Sequence, residues 1–220
     1  MIRVLVADDQ AIVRAGFTVI VEATGDIEVV GEAKDGYEAV ELARQLRPDV
    51  VCMDIRMPGL DGIEATRRLS ADADPIPVLV VTTFDLDDYV FGALEAGAAG
   101  FLLKGSDEET LVSAIRSVAA GDGTLDQALT RRVLSEFATR RPTPEGRGEE
   151  RAALLTAREL EILRLLCAGL SNQEIAASLF IELSTVKYHL AGLLGKIGAR
   201  DRLQAVVWAF RNGVVAPGEA

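Results

Sequence analysis

Five short apolar runs alternating with five helix-patterned segments constrain this chain more than any other feature of it. The runs are Val4–Ala7, Glu28–Gly31, Val50–Met53, Val78–Val81 and Gly100–Leu103. The segments that follow them, Ile12–Val21, Glu38–Leu46, Gly62–Leu69, Asp88–Ala96 and Glu108–Ala119, space their apolar residues as a helix does. Strands joined through helical crossovers run parallel, and helices then cover both faces of the sheet. The pattern predicts an α/β doubly wound five-stranded parallel sheet over residues 1–120. Sheets of this kind hold ligands beyond the carboxyl ends of their strands, where the strand order reverses.

The residues at those strand ends carry chemistry. Asp8 and Asp9 follow the first run, Asp54 the third, Thr82 the fourth and Lys104 the fifth. In the order 2-1-3-4-5 the first and third strands are neighbours, so the three carboxylates converge. They repel one another unless a cation sits among them, and oxygen-only ligands in a partly hydrated cleft suit Mg²⁺. A carboxylate beside Mg²⁺, a hydroxyl and an ammonium group is equipped to accept a phosphoryl group, whose oxygens the metal and the lysine neutralise. Taken singly, Asp8 or Asp9 would more often cap the next helix, and Lys104 would be solvated. Their joint position at four strand ends is what carries the reading. Thr82 and Lys104 are both expected at a solvent-facing rim.

Charge divides the chain. Its net charge of -11 argues against a protein that coats nucleic acid over its whole surface. Residues 1–120 hold 10 basic and 22 acidic side chains, whereas residues 151–220 hold 8 and 6. An acidic front and a mildly basic back predict two domains with different partners. Between them, Leu125, Leu129, Val133 and Phe137 repeat every four residues and predict an amphipathic helix. Residues 139–151, rich in proline, glycine and charge, predict a linker. Residues 156–210 are helical in pattern throughout. Thr156 with Glu159 and Ser171 with Glu174 are capping-box pairs, each opening a helix. Cys52 and Cys167 lie in apolar stretches at no metal or disulfide spacing, and are expected as buried thiols. No apolar run reaches a membrane span, and the opening residues suggest a strand rather than a secretory leader. A cytoplasmic protein is expected.

At Ala7-Asp8-Asp9, Asp54-Ile-Arg-Met-Pro-Gly-Leu-Asp-Gly62, Thr82-Thr83 and Gly100-Phe-Leu-Leu-Lys104 the first 120 residues resemble a response-regulator receiver domain. Leu155-Thr156-x-Arg158-Glu159, Gly169-Leu-Ser-Asn-Gln-Glu-Ile-Ala176 and Thr185-Val-Lys-Tyr-His189 resemble a LuxR-type DNA-binding domain. Together they are similar to the NarL/FixJ family of two-component response regulators. The resemblance implies a flavodoxin-like sheet of order 2-1-3-4-5, followed by a small all-α helix-turn-helix domain. The expected domains are a receiver at 1–120, an inter-domain helix and flexible linker at 121–153, and the DNA-binding domain at 154–220. It implies that Asp54 is the phosphoacceptor, and that Asp8, Asp9, Asp54 and the backbone carbonyl of Arg56 hold Mg²⁺, Asp8 through water. Thr82, Lys104 and Phe101 are the implied switch residues. Phe101 lacks the hydroxyl often found at that position, so packing alone would hold it inward. A sensor histidine kinase, double-stranded operator DNA and a homodimer formed on phosphorylation are the implied partners, with no membrane contact.

In the DNA-binding domain the residues predict a helix over Ser171–Leu179, a turn over Phe180–Leu183 and a second helix over Ser184–Ile197, suited to a major groove. Ser184 and Thr185 at its start suit phosphate contacts, and Lys187 and Tyr188 could reach base edges. His189, the sole histidine, is a candidate phosphate contact or a packed side chain, with no second ligand or nucleophile to make it catalytic. Two departures from the family stand out. Glu182 replaces the usual serine cap, so Ser184 is expected to start the helix later. Gly192 and Gly195 lie inside that helix, each costing about 1 kcal/mol relative to alanine. In the last helix, Leu203, Val206, Val207 and Phe210 are expected to face their own domain. Ala205, Trp208 and Ala209 are expected to offer a dimer surface.

The favoured function is transcription control by phosphorylation of Asp54, without enzymatic turnover. A phosphatase of the haloacid-dehalogenase type would also use an aspartate nucleophile. It needs an acid-base aspartate two residues later, where this chain has Arg56. A receiver that acts without phosphate is the third reading, against which the complete set Asp8, Asp9, Asp54, Thr82 and Lys104 argues.

Overall fold

The computed structural model describes residues 1–83, 87–121 and 147–215. The chain divides into two compact units, Met1–Thr124 and Leu125–Ala220.

The first unit runs β1 (Ile2–Ala7), α1 (Ala11–Glu22), β2 (Ile27–Ala33), α2 (Gly36–Leu46), β3 (Val50–Met53), α3 (Gly62–Ser70), β4 (Val78–Thr82), α4 (Asp87–Ala96), β5 (Gly100–Leu103) and α5 (Glu108–Ala119). The strands form one parallel sheet of order β2-β1-β3-β4-β5. Every residue of β3 and β4 is buried, as expected of strands covered on both faces. Val4, Val6, Val50, Cys52, Leu79 and Val81 pack on one side of the sheet against Leu111, Ile115 and Val118 of α5.

Register sets the site. Ala7 of β1 pairs with Met53 of β3, and the Asp54 N–H donates to the Ala7 carbonyl at 2.8 Å. Asp8 and Asp54 therefore leave the sheet side by side at the reversal point. Thr82 pairs with Leu103, and its carbonyl accepts the Lys104 N–H at 2.9 Å. Asp35, Asp61 and Asp107 cap α2, α3 and α5 by accepting backbone N–H groups. Neither Asp8 nor Asp9 does this for α1, whose N-cap is Gln10.

The second unit runs α6 (Arg147–Ala152), α7 (Ala157–Cys167), α8 (Asn172–Leu179), α9 (Leu183–Ile197) and α10 (Arg202–Arg211). The expected linker at 139–151 is thus helical from Arg147. Glutamate, arginine and alanine there favour a helix once Pro142 and Pro144 are past. The expected helix through Leu125, Leu129, Val133 and Phe137 lies outside the described residues. Both capping boxes form, Thr156 with Glu159 and Ser171 with Glu174. The α8 C-cap, Phe180, adopts the left-handed conformation, with φ 53°, and turns the chain into α9.

Ile162, Leu163, Leu166, Ile175, Val186, Leu190 and Leu193 form the core of this unit. Ala205, Val206, Ala209 and Phe210 of α10 complete it. The expectation that Ala205 and Ala209 face a partner is overturned, since both are fully buried in their own unit. Small residues let α10 approach α7 closely, so the alanine face is the inward one. Leu203 and Val207 are buried too, but outside that cluster. Helix α9 starts at Leu183, not after Ser184. Glu182 occupies the N-cap without a side-chain capping bond, and its carbonyl accepts the N–H groups of Thr185 and Val186. Glutamate is a poor N-cap, so the helix starts there on backbone bonds alone. Cys52 and Cys167 are free thiols, and burial pushes each up to about 12. Among the described residues, no helix is long and apolar enough to cross a membrane.

Candidate functional site

At the carboxyl end of the sheet, carboxylate oxygens of Asp8, Asp9 and Asp54 lie within 4.8 Å of one another. Asp8 and Asp54 are buried, at 3% and 6% exposure, while Asp9 is exposed. The Lys104 ammonium sits between the buried pair, 2.6 Å from Asp8 Oδ2 and 3.0 Å from Asp54 Oδ2. The remaining oxygens are held by backbone. Asp8 Oδ1 accepts the Gln10 N–H at 2.9 Å, and Asp54 Oδ1 accepts the Ile55 N–H at 2.8 Å. Arg14 donates to the Asp8 carbonyl at 2.8 Å, which braces the turn behind the pair.

Burial pushes the Asp54 carboxyl above its ordinary value, and the neighbouring Asp8 adds to this while Lys104 opposes it. Lys104 is pulled both ways: burial disfavours its charge, but the two carboxylates outweigh burial and raise it. With all four groups ionised the cluster carries a net charge of about -2, one lysine against three carboxylates. A hard divalent cation restores neutrality, and an all-oxygen donor set suits Mg²⁺ over softer metals. The residues present therefore fit such an ion.

The loop after β3 is held by Gly62. Its N–H donates to the Ile55 carbonyl at 2.8 Å, and a Cβ there would come within 1.8 Å of the Asp54 carbonyl oxygen. Only glycine lets α3 start this close to the Asp54 backbone. Thr82 and Phe101 complete the implied set, but not at an open rim. Thr82 is 0% exposed and Phe101 1%. The expected solvent-facing position of Thr82 and Lys104 is corrected: Thr82 is fully buried, and the Lys104 side chain, held by Asp8 and Asp54, is only 11% exposed. Phe101 is held inward by packing.

A cleft of about 470 Å³ opens beside the acidic cluster, lined by Asp9, Arg56, Met57, Asp61, Ile63 and Tyr89 among others. The Arg56 guanidinium donates to the Tyr89 hydroxyl at 2.6 Å and lies 5.2 Å from its ring centre. Sequence reasoning missed Tyr89, because a single tyrosine on a helix has no spacing partner to mark it.

In the second unit, α9 exposes Ser184, Lys187 and Tyr188, with Thr185 and His189 half-buried. Tyr188 is 77% exposed, and its ring meets that of His189 edge-on, with centres 5.5 Å apart. Val186, Leu190 and Leu193 point into the core on the opposite face. Trp208 is half-buried against that same core and supplies the carbonyl that accepts the Asn212 side-chain amide at 2.8 Å.

Residues 4–116 match the response regulator receiver domain, and residues 153–209 match the bacterial regulatory proteins of the luxR family. The chain is 44% identical to the transcriptional regulatory protein LiaR of Bacillus subtilis, over 98% of this chain and all of that one. It is 36% identical to the response regulator protein VraR of Staphylococcus aureus, over 97% of this chain and 99% of that one. Among solved structures it resembles the response regulator ChrA of a heme-sensing two-component system, at 38% identity and a TM-score of 0.53, over 97% of this chain and 98% of ChrA. The chain belongs to the NarL/LuxR family of two-component response regulators, with a receiver domain followed by a LuxR-type DNA-binding domain.

Proposed function

We propose that phosphorylation of Asp54 controls dimerisation and sequence-specific operator binding, and through them transcription. The observation that carries this is the Lys104 ammonium shared between Asp8 and Asp54 at 2.6 and 3.0 Å. An Asp54 carboxylate oxygen would bond to the phosphorus of a phosphohistidine on a sensor kinase as the P–N bond breaks, leaving the imidazole on the kinase. Lys104, already at that oxygen, is placed to pair with the arriving phosphoryl group. Asp8, Asp9, Asp54 and the Arg56 carbonyl would hold Mg²⁺, which neutralises charge on the transferring oxygens. Thr82 and Phe101 are the switch residues by the family resemblance; both are buried, and the Thr82 carbonyl accepts the Lys104 N–H. The chemistry ends with a phosphorylated chain rather than turnover of an external substrate, so the protein is not an enzyme in that sense, and its place of action is the cytoplasm.

Ser184, Thr185, Lys187, Tyr188 and His189 form the DNA-facing set on α9, in the domain from 154 onward. Lys187 and Tyr188 are the exposed members able to reach base edges. Trp208, half-buried, is the candidate dimer contact on α10. Incubation with acetyl phosphate and Mg²⁺ tests the reading: the chain gains one phosphoryl group and higher operator affinity. Asp54→Asn is expected to abolish incorporation, and Asp9→Ala to abolish most of it. Full incorporation by Asp54→Asn at another residue sinks the assignment.

A further inference from the structure

Helix α9 is unevenly held. At its start, Glu182 caps it with backbone alone, and the first turn has no acidic residue to favour the helix dipole. Its last turn is tied down instead. Lys196 donates to Glu159 Oε2 at 2.6 Å. Glu159 lies in the first turn of α7, is 5% exposed, and accepts the Thr156 N–H on that same oxygen at 2.7 Å. A Cβ at Gly192 would come within 3.1 Å of Oε1. Gly192 and Lys196 are four residues apart and share a face of α9. One buried carboxylate thus joins the start of α7 to both positions, and the bare glycine leaves the room it occupies.

We propose that Glu159 is a positioning residue for DNA binding, setting through Lys196 and the Gly192 gap the angle at which α9 presents Lys187 and Tyr188. This rests on reading α9 as the helix that enters DNA. Lys187 lies nine residues from Lys196, about 14 Å along a helix. A tilt of about 5° at that anchor moves Lys187 by roughly 1 Å, enough to make or lose a hydrogen bond to a base edge. The pair also keeps the Lys196 charge engaged within the protein. Freed, it becomes a further cation for phosphates, which strengthens binding to any sequence. Breaking the pair therefore moves specific and non-specific affinity apart, whereas a purely structural pair affects only the folded fraction.

The test uses the full chain and two probes: a duplex enriched from a random pool by the wild-type protein, and a scrambled duplex of equal composition. Glu159→Gln keeps a residue able to complete the capping box and removes the charge. It is expected to lower affinity for the enriched duplex about tenfold while affinity for the scrambled duplex holds or rises. Its salt dependence is expected to steepen by about one ion on the scrambled duplex. Lys196→Met should lose specific affinity without that steepening. Gly192→Ala, which only crowds the carboxylate, should reduce the enriched-to-scrambled ratio several-fold and serves if Glu159→Gln melts below the assay temperature. An unchanged ratio in Glu159→Gln and Gly192→Ala, whatever happens to melting, overturns the inference. A wild-type chain that enriches no sequence overturns the DNA-binding reading, and this inference with it.

Discussion

The Lys104 ammonium stands 2.6 Å from Asp8 and 3.0 Å from Asp54, so a single cation answers two buried carboxylates. Its removal leaves both carboxylates buried and unneutralised, a situation that costs about 3–5 kcal/mol elsewhere. Lys104→Met is therefore expected to destabilise the metal-free receiver by several kcal/mol rather than leave it intact. Millimolar Mg²⁺ should restore much of that loss, since an ion bound only by the folded state stabilises it. Thermal melts with and without Mg²⁺ check this, and a metal-independent melting loss counts against a cation site at Asp8, Asp9 and Asp54.

Gly62 has no room for a side chain, because a Cβ would overlap the Asp54 carbonyl oxygen. Gly62→Ala should cost more than about 2 kcal/mol through the forced backbone shift. It should slow phosphorylation as well, since the shifted backbone carries Asp54. Urea denaturation and acetyl phosphate labelling of the same sample read both effects.

Glu159 links the second unit to pH. Burial pushes its carboxyl up, but the bonds from Lys196 and Thr156 outweigh this and lower it from 4.5. A group whose folded value is depressed stabilises above its unfolded value, and loses that contribution as pH falls through the folded one. At neutral pH, Glu159→Gln should melt below wild type, and the difference should shrink as pH drops below about 4.5. A melting difference that does not change with pH contradicts the ion pair.

Lys187 is exposed and stands outside every ion pair among the described residues. With Lys196 bound to Glu159, it is, on the proposed reading of α9, the cation left for DNA. Lys187→Ala should cost on the order of 1–3 kcal/mol at one base position if it reads a guanine. If it meets only phosphate, all sequences weaken alike and the salt slope falls by about one. Gel-shift titrations at several salt concentrations separate the two outcomes.

Much of this architecture was legible before any coordinates. The spans of β3, β5 and α5 follow from apolar runs and helical spacing alone, and the other strands and helices of the first unit differ by at most two residues at either end. The capping boxes at Thr156 and Ser171 were equally plain, because the residues that form them are three apart and need no partner from elsewhere. Tyr89 beside Arg56 was not legible, since 33 residues separate them and neither belongs to a local pattern. Leu203, Val206, Val207 and Phe210 of α10 are buried as expected, but Ala205 and Ala209 were misplaced on a partner surface for a related reason. Leucine, valine and alanine all suit burial, and only the position of α7 shows which stripe of the helix turns toward it.

By itself the sequence determined the strand and helix order, the parallel sheet and the carboxylates at its reversal point. Those follow from periodicities and strand ends, which act over a few residues. The tertiary structure alone decided what each charge faces. It buried Thr82, set Lys104 between Asp8 and Asp54, and paired Lys196 in the last turn of α9 with Glu159 of α7. Electrostatic partners are chosen by distances of a few ångströms across elements far apart in the chain, and at that range burial strengthens whichever pair the packing brings together.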